Sequence, residues 1–394
     1  MTNQSRKTLL VMLDAAKGDY IKEGRMPKLE KLSREGVYFE YLKPEFGFCE
    51  RTEMLVGKSN KETNLFTAFG FSPENSPYKK YSTLLKVLNL IEKTAPFEFK
   101  TRIVRKIIWT LLKTKPGTYH PVRIPINALT KFALTEDGYR NYIKYDEKSI
   151  YKKTKNPFLI TTTSMDEAMF GDDDARLNCI EKNINSEHDF YSLYISALDS
   201  KGHIYGPESE EMDDILKKTD AKINELVEKL KKINDDVRII ICGDHGMVSV
   251  KKEVDIEEII KKHSHENDLD YFLDSTMARF WIKNNRAWQR IRSEIEQRYG
   301  EHGTFVSQSE YNTYGIPELI EYGEYIWICK EGVLICPDFF NRKKGKIKGM
   351  HGYVPENSAH FGFMLVIDEK LTPKRKEGIY PLSKVYEVLN ESIT

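Results

Sequence analysis

The sequence contains few cysteines, and their spacing does not suit a metal-binding or redox motif. There are five cysteines in 394 residues, an odd number, and no two of them are separated by two residues. A small disulfide-stapled fold and a cysteine-based zinc site would both require more cysteines, or paired ones. We therefore expect reduced thiols and a fold that depends on a hydrophobic core.

Long hydrophobic runs and an excess of one charge are also missing. No run approaches the roughly 20 residues that span a bilayer, and the short run Leu9 to Leu13 is too brief for a secretory signal. The 61 basic residues nearly balance the 60 acidic ones, giving a net charge of +1, which disfavours a broad electrostatic grip on nucleic acid. We predict a soluble, cytoplasmic protein with no stable membrane insertion and no nucleic-acid partner.

What the sequence does contain is a set of apolar runs that end in aspartate. Near-continuous apolar runs of this length are typical of strands buried on both faces of a sheet. Because a turn follows each run, the aspartates are expected at the carboxyl ends of the strands. The runs are Thr8 to Leu13, Phe190 to Leu198 and Val237 to Cys242, and the aspartates are Asp14, Asp199 and Asp244.

Helical patterns lie between these runs. Pro27 to Glu35 predicts a short helix, and Ser209 to Ile233 predicts a long amphipathic one. Alternating strands and helices indicate an α/β fold whose mainly parallel sheet is sandwiched by helices. Functional groups of such sheets collect at the carboxyl ends of the strands. Three carboxylates at three strand ends therefore suggest a site for more than one metal ion.

Two stretches depart from this alternation, and we interpret them as cap segments inserted into a single domain that spans residues 1–394. The first, about 76–183, is rich in lysine and irregular. The second, about 263–346, has its own αβ pattern, with strands predicted at Tyr271 to Lys283 and Tyr325 to Pro337 and a helix at Ala287 to Tyr299.

A basic amphipathic segment, Thr101 to Lys113, lies in the first insertion. Such helices usually pack their apolar face on the parent domain, and we expect this here. The alternative is that the segment lies on an anionic membrane surface, where it would suit a lipid-linked substrate.

Three histidines complete the polar pattern. They are His203, four residues after Asp199; His245, directly after Asp244; and His351, in a C-terminal loop. Carboxylate and imidazole suit Zn, our first choice, or Mn as the alternative. Six such ligands divide into two sets of three, and two ions roughly 4 Å apart can hold both the attacking and the leaving oxygen of a phosphoryl transfer.

Together these pieces resemble the alkaline phosphatase superfamily, and within it the type I phosphodiesterase/nucleotide pyrophosphatase family. The matching motifs, in the order of the family, are Val11-Met-Leu-Asp14, Asp199-Ser-Lys-Gly-His203, Gly243-Asp-His-Gly246 and His351-Gly-Tyr353. The resemblance implies an alkaline-phosphatase-like fold and two ion sites. It assigns Asp14, Asp244 and His245 to one ion, and Asp199, His203 and His351 to the other.

The resemblance breaks where these enzymes carry the Thr or Ser that attacks phosphorus, because that position falls on Gly47. Three alternatives follow. Cys49 attacks instead; a water activated by the ions attacks directly; or the site binds phosphate esters with little turnover. Thr52 is a weaker nucleophile candidate, and Arg51 is a candidate contact to a phosphate oxygen.

The activity that the resemblance implies is hydrolysis of a phosphodiester or pyrophosphate bond by in-line attack. The substrate would be a small phosphate ester or a glycan- or lipid-linked one. The alternatives are a phosphotransferase or phosphomutase of the same superfamily, and a metal-binding protein that has lost turnover.

Overall fold

The computed structural model describes most of the chain. The described residues are 7–93, 98–113, 119–121, 123–135, 143, 146–160, 172–184, 187–233, 236–265 and 267–393. Strands and helices alternate through the N-terminal, central and C-terminal parts of this range, as the apolar runs predict.

The strands of the described residues are numbered in chain order. They are β1 (Lys7–Leu13), β2 (Val37–Lys43), β3 (Phe69–Phe71), β4 (Phe132–Leu134), β5 (Pro157–Ile160), β6 (Phe190–Ile195), β7 (Val237–Gly243), β8 (Val248–Ser249), β9 (Lys252–Val254), β10 (Leu269–Leu273), β11 (Met277–Ile282), β12 (Gly303–Ser307), β13 (Tyr325–Cys329), β14 (Val333–Ile335), β15 (Gly349–Met350), β16 (Gly362–Ile367) and β17 (Lys374–Pro381).

The α-helices are numbered in the same way. They are α1 (Asp19–Lys22), α2 (Pro27–Ser33), α3 (Glu50–Val56), α4 (Asn60–Thr63), α5 (Ser82–Lys93), α6 (Glu98–Leu112), α7 (Ile150–Lys153), α8 (Asp173–Asn183), α9 (Ala197–Tyr205), α10 (Glu210–Ile233), α11 (Ile256–His263), α12 (Asn285–Tyr299) and α13 (Lys384–Ile393). The predicted helices at Pro27 to Glu35, Ser209 to Ile233 and Ala287 to Tyr299 are confirmed as α2, α10 and α12.

By its internal contacts the chain divides into two compact units. Unit 1 comprises Met1–Thr63, Asn141–Val250 and Lys346–Thr394, and unit 2 comprises Asn64–Arg140 and Lys251–Gly345. The two predicted insertions overlap unit 2 but differ from it at their bounds. Strand β5 falls in the first predicted insertion, yet it belongs to unit 1 because it pairs with β6.

Unit 1 is built on a mainly parallel sheet, as predicted. Seven of the described strands form it, in the order β17-β2-β16-β7-β1-β6-β5. Strand β16 is antiparallel to both of its neighbours, and the other pairs are parallel.

The core of unit 1 lies on both faces of this sheet. Alternate side chains of a strand point to opposite faces, and β1 follows this rule. Leu9, Val11 and Leu13 pack in a cluster that includes residues of α2, α8 and α10. Leu10 and Met12 pack in a second cluster that includes residues of α3 and α13. The apolar run of β1 is therefore continuous because helices cover it on both sides.

The strand predicted at Phe190 to Leu198 ends three residues early. Strand β6 stops at Ile195, and α9 begins at Ala197. The carboxylate of Asp173 accepts hydrogen bonds from the backbone N–H groups of Ser196, at 3.0 Å, and of Ala197, at 2.9 Å. This long-range contact holds the chain at the turn, so the site aspartate of this run, Asp199, lies in the first turn of a helix rather than at a strand end.

Unit 2 contains an antiparallel sheet of four described strands, in the order β10-β11-β13-β12. The single strand predicted at Tyr271 to Lys283 is wrong, because β10 and β11 form a hairpin there. The backbone N–H of Asp274 donates to the carbonyl of Met277 at 2.9 Å, which closes the turn. The strand predicted at Tyr325 to Pro337 is likewise divided, into β13 and β14.

Unit 2 also contains α6, which confirms a helix at the basic amphipathic segment. It packs against α5. Among the described residues, no helix combines the length and the apolarity that crossing a bilayer requires.

Candidate metal centre

Two aspartates of the site lie side by side at the end of the unit 1 sheet. Strands β1 and β7 are parallel neighbours with Leu13 opposite Gly243, so the residues that follow them, Asp14 and Asp244, are brought together. The backbone N–H of Ala15 donates to Oδ1 of Asp244 at 3.1 Å. Both aspartates are buried, at 6% and 3% exposure.

Helix α9 supplies the third aspartate and a histidine. Asp199 and His203 are four residues apart and so share one helix face, with Nε2 of His203 3.2 Å from Oδ1 of Asp199. The other ring nitrogen of His203, Nδ1, is 2.8 Å from the carbonyl oxygen of Gly349. A metal-binding histidine is commonly oriented through its second nitrogen in this way.

The remaining histidines join these two groups. The short pairing of β8 with β15 places His351, which follows β15, near His245, which precedes β8. The two imidazole rings stack with centroids 4.0 Å apart and an interplanar angle of 14°. Nε2 of His245 is 3.2 Å from Oδ1 of Asp14, and Nε2 of His351 is 3.4 Å from Oδ1 of Asp199. Five of the six predicted ligand residues therefore form one cluster, and Asp244 lies beside it.

Within this cluster the donor atoms form three overlapping groups, in each of which the ligand atoms lie within 4.8 Å of one another. The groups of described residues are Asp14, Asp199 and His245; Asp199, His203 and His351; and Glu50, His245 and His351. The second is the set that the sequence predicts for one ion. The first contains Asp199 where the prediction has Asp244.

Asp244 stands apart because its Oδ1 is engaged elsewhere. Besides the N–H of Ala15, this oxygen accepts the backbone N–H of His245 at 3.0 Å, and it is 3.8 Å from Nε2 of the same histidine. The carboxylate is thus adjacent to the cluster with one oxygen held by the backbone.

Two buried atoms of the cluster have no hydrogen-bond partner in the described structure, namely Oδ1 of Asp199 and Nδ1 of His351. Two imidazole nitrogens approach Oδ1 of Asp199, at 3.2 and 3.4 Å, without the geometry of a hydrogen bond. An unsatisfied buried polar group costs about 1–3 kcal/mol. Carboxylate and imidazole groups that converge in this way fit a divalent cation.

Burial and neighbouring charges shift the pKa values of the cluster in both directions. Burial lowers the pKa of His245, but the carboxylates of Asp244 and Asp14 outweigh it and raise that pKa well above its ordinary value. Burial raises the pKa of Asp244 to about 6 and that of Glu50 to about 7. Burial lowers the pKa of His351 well below its ordinary value, and the neighbouring His245 and His203 lower it further. A buried imidazole that stays neutral keeps a lone pair available to a metal.

The loop before α3 positions the residues considered as nucleophiles. Gly47 has φ +129°, a conformation that side-chain-bearing residues rarely adopt, so a threonine or serine would be strained here. Cys49 directly precedes α3 and is 7% exposed, and Thr52 is 1% exposed. Among the described residues, Cys49 is in none of the donor groups.

Arg51 points toward the first aspartate. Its Nη2 is 3.5 Å from Oδ2 of Asp14, and its guanidinium lies 4.7 Å from the ring centroid of Tyr194. The hydroxyl of Tyr194 donates to Oδ2 of Asp14. The aromatic ring of Tyr194 and the carboxylate of Asp14 therefore hold the guanidinium of Arg51 beside the cluster.

Gly352 leaves the space that lets Phe48, in the loop before α3, pack against His351. Its φ is +78°, and a Cβ atom built on it would lie 2.4 Å from the ring of Phe48. That ring stands edge-on to His351, with centroids 5.8 Å apart. The glycine after His351 therefore permits Phe48 to pack on the imidazole.

The sequence interpretation overlooked two residues of this cluster, Glu50 and Tyr194. Glu50 lies between two residues that the motif singled out, Cys49 and Arg51, and its acidic side chain at that position was the available signal. Tyr194 gave no signal, since it is one of several aromatic residues in a buried strand and only strand pairing places it opposite Met12.

Comparison with known proteins identifies a family and a fold. The family model described as type I phosphodiesterase / nucleotide pyrophosphatase matches residues 87–354, more than half of the chain. Human bis(5'-adenosyl)-triphosphatase ENPP4 is 24% identical over 359 residues, which cover 75% of this chain and 69% of the human protein. The Pongo abelii protein of the same name is 25% identical over 301 residues, covering 71% and 56% respectively. The chain thus spans little more than half of the second relative.

Solved structures show the same fold over nearly the whole chain. Murine ectonucleotide pyrophosphatase / phosphodiesterase 5, as an inactive variant in complex with AMP, matches with a TM-score of 0.67 and 14% identity. The match covers 99% of this chain and 95% of the murine one. The human protein of that name matches with a TM-score of 0.60, also at 14% identity, covering 98% and 95%. The predicted α/β fold is confirmed.

Proposed function

Because the chain belongs to the type I phosphodiesterase / nucleotide pyrophosphatase family, we propose that it hydrolyses a phosphodiester or pyrophosphate bond with the help of two divalent cations. The observation that carries this proposal is the convergence of Asp14, Asp199 and Glu50 with three histidines into overlapping donor groups within 4.8 Å. Zn is our first choice and Mn the second, since both accept mixed carboxylate and imidazole ligands.

Asp199, His203 and His351 would hold one cation, and Asp14, Asp244 and His245 the other. The contact of 3.2 Å between His245 and Asp14 supports the second set. When bound, two such cations neutralise charge on the phosphate oxygens and assist the attacking and leaving groups. Asp199 is within reach of both sets, because it also groups with Asp14 and His245.

Arg51 would orient the substrate. Its side chain is 24% exposed, so the guanidinium is reachable while Tyr194 and Asp14 limit its freedom. A guanidinium can donate two parallel hydrogen bonds to a phosphate group. The residue would therefore hold the non-bridging oxygens of the phosphate in place during attack.

Among the candidate attacking groups, direct attack by water has the best support. Gly47 carries no hydroxyl, and its φ of +129° disfavours a residue that does. Thr52 and Cys49 are both nearly inaccessible, whereas a nucleophile must reach phosphorus. Glu50, rather than Cys49, contributes a donor beside His245 and His351, and we propose that it is an additional carboxylate of the ion site.

The decisive experiment for the activity compares esters. The purified protein would be loaded with Zn or Mn, its bound metal counted, and its turnover measured on bis-p-nitrophenyl phosphate, on p-nitrophenyl phosphate and on bis(5'-adenosyl) triphosphate. We expect turnover of the diester or the pyrophosphate to exceed that of the monoester. The last substrate is included because relatives are named for it.

Two results of this experiment would contradict hydrolysis. Turnover that needs an added alcohol acceptor would indicate a phosphotransferase. Bound metal with no turnover of any ester would indicate a binding protein. Neither result bears on the cytoplasmic location, which stays a prediction.

Replacing Cys49 with alanine tests the nucleophile. If water attacks directly, diester turnover should stay within about threefold of the unchanged protein, because no covalent bond to sulfur is lost. The matched control is Cys179→Ala, which removes a half-buried thiol from α8. A thousandfold loss confined to Cys49→Ala, with a phosphoryl adduct on Cys49 detected by mass spectrometry, would overturn water attack.

A further inference from the structure

The helices α5 and α6 of unit 2 share an unusual amount of exposed apolar surface. Seven large apolar side chains on them are between 37% and 64% exposed. These side chains are Leu84, Val87, Leu90 and Ile91 on α5 and Ile103, Ile107 and Leu111 on α6. Large apolar side chains exposed in such number on two neighbouring helices typically mark a site of interaction.

This exposed surface is not needed to attach the helices to their own unit. A different set of side chains does that: Leu85 and Leu88 on α5, and Val104, Ile108 and Leu112 on α6, are all buried. On α6 the exposed residues recur every four positions, which aligns them along one side of a helix. Each helix therefore has an inner apolar stripe for folding and an outer one that faces solvent.

The sequence of this segment is strongly basic, and three of its lysines are exposed beside the outer stripes. Residues 82–113 contain seven Lys and Arg and two Glu, a net charge of +5 in a chain whose total is +1. Lys86, Lys106 and Lys113 are exposed. Glu92 is paired at 3.0 Å with Arg105, which is buried, so this pair adds no net charge beside the exposed lysines.

We propose that the α5–α6 hairpin binds the surface of an anionic lipid bilayer, with its outer apolar stripes among the headgroups and its lysines beside them. Apolar residues flanked by lysine and arginine are the pattern of helices that lie in a membrane interface, and anionic lipids attract such basic segments. A second copy of the chain fits less well, because two hairpins of the same positive charge repel each other.

Vesicle sedimentation tests this proposal on the full chain. The protein would be mixed with vesicles of phosphatidylcholine alone or with about 30% phosphatidylserine added, since binding should depend on anionic lipid. We expect binding to the anionic vesicles at least about tenfold tighter than to the neutral ones, weakened by added salt. The double variant Leu90→Ser with Leu111→Ser, and separately Lys86→Glu with Lys106→Glu, should each lower that binding at least about fivefold.

The control replaces an equally exposed residue outside the hairpin. Ile379, in β17 of unit 1, is 62% exposed, and Ile379→Ser should leave vesicle binding unchanged. Thermal unfolding of every variant would confirm that the fold is retained, as expected for surface changes. Equal binding to neutral and anionic vesicles, or hairpin variants that bind like the unchanged chain, would overturn the proposal. Variants that change only the oligomeric state, measured by light scattering, would also overturn the proposal. They would identify the hairpin as an interface between copies of the chain.

Discussion

Replacing Asp244 with asparagine is expected to lower diester turnover by at least about a thousandfold and to release one of two bound cations. Asparagine has nearly the same shape, and its carbonyl oxygen can still accept the N–H of Ala15, which Oδ1 of Asp244 now accepts at 3.1 Å. The change therefore removes mainly a negative charge from a buried position. The measurements are kcat/KM on the diester and metal content by mass spectrometry.

The matched control for this substitution is Asp220→Asn. Asp220 is also buried in unit 1, and its carboxylate also accepts backbone hydrogen bonds, from Lys28 at 2.9 Å and from Leu29 at 2.8 Å. Burial raises the pKa of both carboxylates, so the two substitutions have similar effects on the fold. We expect Asp220→Asn to keep both cations and full turnover. An Asp244→Asn protein with both cations and full turnover would exclude Asp244 as a ligand.

Replacing Glu50 with glutamine should weaken binding of the cations by roughly 10- to 100-fold, with a comparable loss of turnover at limiting metal. Its carboxylate oxygen lies within 4.8 Å of donor nitrogens of His245 and His351, so its charge acts directly on the ion site. Glutamine keeps the length of the side chain. Calorimetric titration of the metal-free protein with the cation measures the binding affinity independently of activity.

Glu53, one turn further along α3, provides the comparison. It is buried, and its carboxylate accepts the backbone N–H groups of Glu45 and Ser383, each at 3.1 Å. It is absent from the donor groups of the described residues. Glu53→Gln should alter stability but leave metal affinity unchanged. If Glu50→Gln binds cations as tightly as the unchanged protein, Glu50 is not a donor.

Much of the fold follows from local pattern. The apolar runs of β1, β6 and β7 could be predicted as strands. Helices cover both faces of the sheet, so nearly every side chain in these strands must be apolar. Turns are harder to find inside such runs. The hairpin of β10 and β11 was not predicted because only three polar residues, Asp274 to Thr276, separate two runs rich in apolar and aromatic residues.

The candidate site divides in a similar way. Its six predicted side chains could be named from the sequence, because ligand chemistry limits the choice to a few residue types and the motifs occur in a recognisable order. The sequence did not show which of these side chains lie close enough to share an ion. Asp199 reaches both Asp14 and His351 because α9 begins early, at a turn held by Asp173, which is a contact between distant parts of the chain.

The sequence by itself determined which residue types meet at the end of the sheet, and that position 47 carries no hydroxyl. Only the tertiary structure decided that Glu50 joins the histidines, that Tyr194 directs Arg51 toward Asp14, and that α5 and α6 keep a second apolar stripe exposed. The physical reason is common to all three. Residue type and periodicity are local properties, whereas distance and exposure depend on which elements pack together, and that packing is settled by contacts across the whole chain.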